Sequence, residues 1–432
     1  MADNSSTAAR SLRPFMTLWV GQVFSLLGSQ LVQFALIWWL TQQTGSATVL
    51  ALASIVGLVP QVVLGPFVGP LVDRWNRKRT MVLADAAVAL ATLVLAILFW
   101  LGVAELWHVY AILFVRALGG TFHGPAISAS TSLMVPPEHL TRVQGLNQML
   151  NGGLNIISAP LGALLLQLLP LQGVLLIDLV TAALAITSVL LVRVPQPQHE
   201  AAGAAGSPVG QYWQDLRAGL RYVLNWRGLL ILMGMATLIN LVLSPSMSFI
   251  PLLVTDHFQG TAWHLSAMEA ALGIGVLVGG VLLGAWGGFK SRVYTSLVGL
   301  VGLGLSVLLA GVVPSSQFAL AVLAMGLMGL MSSITNGPIM AVLQASVAPS
   351  MQGRVFTLLS SAAMAMMPLG LAVAGPLADA MGVRTWFVIG GLVTLALGLG
   401  GYFIPSLVNI EGDRDAHAET VAAGMMPESP AG

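Results

Sequence analysis

Three charged side chains stand inside long apolar stretches of this 432-residue chain: Arg116, Asp178 and Glu269. A charge held in an apolar medium is costly, so each is expected to face a partner or a polar cavity. A carboxylate at such depth can take up and give back a proton while its surroundings change state. Asp178 and Glu269 are therefore candidate proton-coupling groups, with Arg116 beside them. Each also has a plainer reading. Arg116 can tie helices together by hydrogen bonds, and Glu269 sits early in its apolar stretch, where a carboxylate suits a helix start. Asp85, near the start of another stretch, is expected to pair with Arg74 or Arg77, and His123 to serve packing.

Two rows of small polar residues accompany these charges. Gln22, Ser25, Ser29 and Gln33 step by three, four and four, as do Gln144, Asn147, Asn151 and Asn155. Each row falls on one face of a helix. Amides turned toward lipid would lose their hydrogen bonds, so both rows are expected to face a cavity or neighbouring helices. Asn240 and Asn336 are the candidates for such lining in the second half of the chain. There is no cysteine, no cluster of histidines and carboxylates with metal-ligand spacing, and no phosphate-binding glycine loop ending in Lys-Ser. Enzyme chemistry, a metal, a cofactor and ATP-driven work are thus not expected.

The elements that position these residues follow from composition. Hydrophobic residues make up 56% of the chain and charged residues only 8%. Mean hydropathy is +0.88. A soluble domain carries about 25% charged residues, and a net charge of +1 suggests no nucleic-acid partner. A polytopic helical membrane protein remains. A span needs ~20 mostly apolar residues. Twelve are expected, at about 15–40, 48–72, 80–102, 107–132, 143–169, 171–192, 228–257, 264–288, 293–313, 316–343, 355–380 and 384–407. The first is too long for a signal-peptide core and has no small-residue cleavage site after it.

Fifteen of the seventeen Lys and Arg residues fall at the N-terminus, in the even-numbered loops or in the tail. This bias predicts that both termini are cytoplasmic. Trp38, Trp39, Trp100, Trp107, Trp263 and Trp386 sit at outer span ends, and Trp19, Trp75, Trp226 and Trp286 near inner ones, as interfacial residues do. The expected organisation is a cytoplasmic segment 1–14, a six-helix bundle 15–193, a linker 194–227, a second six-helix bundle 228–408 and a polar, disordered tail 409–432. Residues 195–210 read as a flexible link. Residues 212–226 space Trp213, Leu216, Leu220 and Val223 as an amphipathic surface helix.

The halves repeat weakly but in order. Gly124-Pro125 returns as Gly337-Pro338, Arg142-Val143 as Arg354-Val355, and Pro160-Leu161-Gly162 as Pro368-Leu369-Gly370. The repeat is parallel, because each half starts and ends on the same side. A central substrate site between two such halves is a known carrier organisation.

The loop Gly69-Pro-Leu-Val-Asp73-Arg74-Trp-Asn76-Arg77-Lys78-Arg79 resembles the signature loop of the major facilitator superfamily. Asn76 replaces the usual glycine, and Asn is the next-best residue for a left-handed turn. Gly69 is expected to permit close helix packing, and Asp73 to pair with a nearby arginine or cap a helix. The resemblance implies that Gly69, Asp73, Arg74, Arg77 and Lys78 form a cytoplasmic latch that opens during a conformational switch. Arg116 followed by Gly119-Gly120 is similar to the superfamily's intramembrane arginine motif, which implies proton coupling. Pro160 and Gly162, within Ser158-Ala-Pro-Leu-Gly-Ala163, resemble its antiporter motif, with Ala159 and Ala163 departing from it.

Further detail resembles the bacterial macrolide-efflux subgroup: Ser25-Leu-Leu-Gly-Ser29, Phe34-Ala-Leu-Ile-Trp38-Trp39, Gly284-Ala-Trp-Gly-Gly-Phe-Lys290 and Gly375-Pro-Leu-Ala-Asp379. The resemblance implies an all-α membrane protein of twelve transmembrane helices in two parallel six-helix repeats. It implies a drug:proton antiporter in a bacterial plasma membrane, moving amphiphilic compounds such as macrolides by alternating access. A siderophore or other metabolite exporter, or an inward-running facilitator, is the alternative. The expected partners are a small amphiphilic substrate, protons and the lipid bilayer, with the chain acting as a monomer.

Overall fold

The computed structural model describes residues 12–196 and 208–412. All regular structure among them is helical: α1 Arg13–Thr44, α2 Ala47–Arg74, α3 Arg77–Trp100, α4 Leu106–Met134, α5 Pro137–Leu168, α6 Leu171–Leu191, α7 Pro208–Leu224, α8 Arg227–Ser248 and the short α9 Ile250–Leu252. A π-helical turn Leu253–His257 follows, then α10 Ala262–Trp286, α11 Arg292–Val312, α12 Phe318–Ser346, α13 Pro349–Met381, α14 Val383–Gly401 and α15 Pro405–Val408. The expected N-terminal segment, most of the flexible link and the polar tail fall largely outside the described residues.

Among the described residues eleven helices are long and apolar enough to cross a membrane. The expected fourth span, α4, is the exception. Arg116, two histidines and a run of Gly, Ser and Thr lower its hydropathy. It nevertheless packs along α2 and α3 as a full-length helix. The expected seventh span is not one continuous helix. It breaks at Phe249, between Pro245 inside α8 and Pro251 in α9, because a proline cannot supply the helical N–H.

Turn chemistry sets the tight connections. Gly45 ends α1 with φ 55°, and Ser46 then caps α2 by accepting from Val49 N at 3.3 Å. Between α2 and α3, Asn76 is extended (φ −71°) and its side chain accepts from Arg79 N at 3.0 Å. The left-handed turn expected at Asn76 is therefore absent; its side chain caps a helix instead.

The chain divides into two compact units: residues 1–204 with 254–270, and residues 205–253 with 271–432. In the first, α1 lies against α6 through its glycines. A Cβ on Gly21 would meet the Ser188 side chain, and one on Gly28 would meet Thr181 and stand 2.9 Å from Asp178 Oδ1. Two apolar clusters flank the polar middle of this bundle. One gathers Phe15, Leu18, Val72, Met81, Met134 and Val189. The other gathers Leu31, Ala35 and Val174, with Leu161 and Leu165 against them. Along α1, Gln22 and Ser29 fall between the two.

In the second unit, small residues again let helices touch. A Cβ on Gly275 or Gly329 would collide with backbone of the facing helix, α12 or α10. Trp386 of α14 donates its indole N–H to the Val242 carbonyl at 3.0 Å. Helix α7 is docked rather than only lying on a surface. Tyr222 and Val223 are buried in the core of this unit, and the Tyr222 hydroxyl accepts from Ala348 N at 3.4 Å. Leu220 remains exposed, and the side chain of Trp213 lies outside the described residues.

Candidate functional site

Two of the three intramembrane charges find each other. Arg116 Nη1 donates to Asp178 Oδ2 at 2.6 Å and to Thr92 Oγ1 at 2.9 Å, and Nη2 donates to the Ser29 carbonyl at 3.3 Å. The Thr92 hydroxyl also reaches Asp178 Oδ2, at 3.4 Å. The side chains are 9% and 3% exposed. Four helices thus converge on one charge-assisted pair, which is the strong form of hydrogen bond. Gly28 makes room for it on α1.

Asp85 does not pair with Arg74 or Arg77. Its Oδ1 lies 3.5 Å from His123 Nε2, and the Gln22 side chain faces the same carboxyl group. His123 is therefore more than packing. The reason is register: α3 and α4 run antiparallel, and this places residue 85 level with residue 123, far from the loop arginines.

Three residues singled out separately meet in one cavity of the first unit. Gln33 of α1, Asn155 of α5 and Glu269 of α10 line a space of 210 Å³, with Gln30 and Ser158 beside them. Glu269 is partly buried and makes no ion pair among the described residues. Trp263, one and a half turns earlier on α10, donates to Gln167 Oε1 at 3.1 Å and ties that helix end to α5. The other members of the polar rows are placed differently. Gln22 is buried beside Asp85, Ser25 and Ser29 are partly buried, and Asn151 is exposed. Asn147 accepts the Trp19 indole N–H at 2.8 Å, a tie between α1 and α5.

The second unit contains a larger, mainly apolar cavity of 360 Å³. Asn240 and Asn336 line it with Ser296, Ser332, Met235 and Met340. Asn240 Nδ2 donates to the Ala236 carbonyl and Asn336 Nδ2 to the Ser332 carbonyl, both at 2.9 Å. Each amide thus stays on its own helix while presenting its face to the cavity.

The signature loop is a set of ties. Arg77 Nη2 meets Asp73 Oδ1 at 3.1 Å, and Nη1 donates to the Ala129 carbonyl of α4 at 2.8 Å. Lys78 Nζ donates to the Leu190 and Val192 carbonyls at 2.7 and 2.9 Å, a cation on the C-terminal end of α6. Arg74 is exposed. A Cβ on Gly69 would meet open space, so the expected close packing there is not found. Pro160 lies inside an unbroken α5. A Cβ on Gly162 would stand 2.7 Å from the Phe34 ring, so this glycine admits Phe34 between α1 and α5.

Thr92, Gln30, Ser158 and the Asp85–His123 pair were missed in the sequence. Ser158 follows Asn155 by three residues and Thr92 follows Asp85 by seven, so helical periodicity extended past the amides would have found both. Among the described residues no group of His, Asp and Glu is arranged to hold a metal ion.

Paired helical units with charges buried in mid-helix and polar-lined cavities define a polytopic membrane carrier. A sequence model of the Major Facilitator Superfamily matches residues 18–371. Over 385 residues the chain is 35% identical to Macrolide efflux protein A of Streptococcus pyogenes, covering 89% of this chain and 94% of that protein. It is 28% identical over 407 residues to Multidrug efflux pump Tap of Mycolicibacterium fortuitum, covering 89% and 94%. A crystal structure of a POT family transporter shares the fold, with a TM-score of 0.69 at 13% identity over 90% of this chain and 96% of that one. The chain belongs to the Major Facilitator Superfamily. It is a multi-pass membrane transporter, not an enzyme.

Proposed function

We propose that this transporter is a proton-coupled exporter of amphiphilic compounds, macrolides among them, working by alternating access in a bacterial plasma membrane. The names of the efflux relatives support the substrate class. The observation that carries the coupling is Glu269 in one cavity with Gln33 and Asn155, with no Lys, Arg or His among the described residues that line it. Such a carboxylate can hold a proton or the amine of a cationic amphiphile, but not both. That exclusivity is what antiport requires. In this reading Arg116–Asp178 holds the first unit together around the path, and Asn240 and Asn336 meet the substrate in an adaptable, methionine-bearing wall. The ties of Asp73, Arg77 and Lys78 act as the latch, with Gly69 and Arg74 on its free side. Both termini face the cytoplasm, as the basic loops favour, and the monomer suffices.

The test is transport in inverted vesicles energised acid-inside, comparing a macrolide with a catecholate siderophore. Macrolide accumulation should collapse with a protonophore, and Glu269→Gln should lose it at equal expression. Accumulation that ignores the protonophore would overturn coupling. Preference for the siderophore would overturn the substrate class. Full activity in Glu269→Gln would remove that residue from the mechanism.

A further inference from the structure

The polar middle of the first unit has two levels, not one. On α1, Gln22 and Ser29 are seven residues apart; on α3, so are Asp85 and Thr92; on α4, so are Arg116 and His123. Seven residues make almost two turns, or ~10 Å of rise. Because α4 runs opposite to α3, His123 meets Asp85 just as Arg116 meets Thr92. The first level is satisfied: Arg116 and Asp178 neutralise each other, and Thr92 and Ser29 complete the bonds. The second is not. Asp85 Oδ2, His123 Nε2 and Gln22 Nε2 are all buried without a hydrogen-bond partner. The Asp85 and His123 side chains are only 13% and 16% exposed.

Charge counting makes this unequal pair of levels informative. The groups acting on Asp85 are His123 from α4, Gln22 from α1 and, at longer range, Asp178 from α6. Between its ends α1 carries no titratable residue, and α2 carries none before Asp73. Arg116 is already matched by Asp178. Among the described residues, a buried Asp85 carboxylate is then answered by a proton on His123 or on itself. An unmatched charge inside a bundle is costly.

We propose that Asp85 and His123 bind one exchangeable proton as a unit, a site separate from Glu269, and that its loss is felt at Arg116. With the proton on Nε2, the imidazolium and carboxylate neutralise each other. When the N–H bond breaks the proton leaves to solvent, and the carboxylate left behind adds a second negative charge to the field of Asp178, the partner of Arg116. The site extends the proton-coupled reading above but does not need Glu269 or any particular substrate.

The test is a histidine-detected NMR titration of the full-length protein in lipid nanodiscs. One resonance, absent in His123→Gln, should report gain and loss of a proton as the pH is varied. Its midpoint should move in Asp85→Asn, and also in Asp178→Asn if the levels are linked. Gln22→Leu offers a charge-neutral check should Asp85→Asn fold poorly, and it should move the midpoint as well. A His123 resonance that does not titrate, or one unmoved by Asp85→Asn and Gln22→Leu, overturns the proposal. Vesicle transport insensitive to protonophore, with the titration present, would sink the antiport reading and leave this site standing.

Discussion

Arg116 and Asp178 lie 62 residues apart in the chain and 2.6 Å apart in the fold, with almost no exposed surface on either. Their bond joins α4 to α6, and Thr92 and Ser29 draw α3 and α1 into the same knot. Removing one partner leaves a buried charge with no answer, at a cost of about 3–5 kcal/mol. Arg116→Ala and Asp178→Ala should each lower the thermal unfolding midpoint of the purified protein steeply. The double variant should be closer to wild type than the sum of the two. An additive double-mutant cycle would show that the pair does not stabilise the bundle.

The signature loop offers a way to separate stability from transport. Asp73 is 66% exposed and meets Arg77, whose side chain is 8% exposed, across the α2–α3 connection. A pair with one partner so exposed is worth about 0.2–1 kcal/mol. Asp73→Asn should leave unfolding unchanged yet slow transport if the pair sets the switch. Transport at the wild-type rate would show the loop to be a positive-inside signal alone.

Lys78 predicts the reverse balance. Its ammonium serves two carbonyls at the end of α6, and hydrogen bonds to charged groups contribute about 1.5–3 kcal/mol. Lys78→Met should expose the Leu190–Val192 segment to faster hydrogen exchange, while Lys78→Arg should largely preserve it.

Gly162 and Gly69 should respond differently to the same methyl group. At Gly162 it meets the Phe34 ring, at Gly69 nothing. Overpacking of this kind costs about 1–3 kcal/mol. Gly162→Ala should lower the unfolding midpoint and Phe34→Leu should partly restore it. Gly69→Ala should be neutral in the same assay.

Tyr222 gives an alkaline signature. Burial pushes its phenol above the usual value, while its bond with Ala348 N pulls weakly the other way. The neutral phenol is the form that docks. Docking is therefore complete below about pH 10 and weakens as pH rises past it. Limited proteolysis near α7 should quicken there in wild type and not in Tyr222→Phe.

Much of the bundle was legible because its signals are local. The apolar runs, the basic loops and the amide rows each follow from periodicity along one helix. Gln33, Asn155 and Glu269 were each visible for that reason, but their meeting in one cavity was not. It depends on how three helices far apart in sequence are set side by side. Asp85 shows the limit most clearly. Along the chain the nearest cations belong to the loop of Arg74 and Arg77, whereas its neighbour in space is fixed by the α3–α4 register. Asn76 was misjudged for a different reason. Its backbone preference favoured a left-handed turn, but its side chain is worth more as a cap on the first turn of α3. The break after Ser248 was written in Pro245 and Pro251, and the apolar run concealed it.

The Arg77 backbone N–H donates to Gln196 Oε1 at 3.0 Å. The chain leaving α6 is thereby fastened to the signature loop. Four residues, 192–195, lie between the helix and this fastening, and the five steps from Leu191 to Gln196 reach at most ~17 Å. The tether to the rest of the polypeptide thus begins at Gln196. The end of α6 and the signature loop are therefore one hydrogen-bonded unit, in which Gln196 extends the ties that Arg77 makes to Asp73 and Ala129.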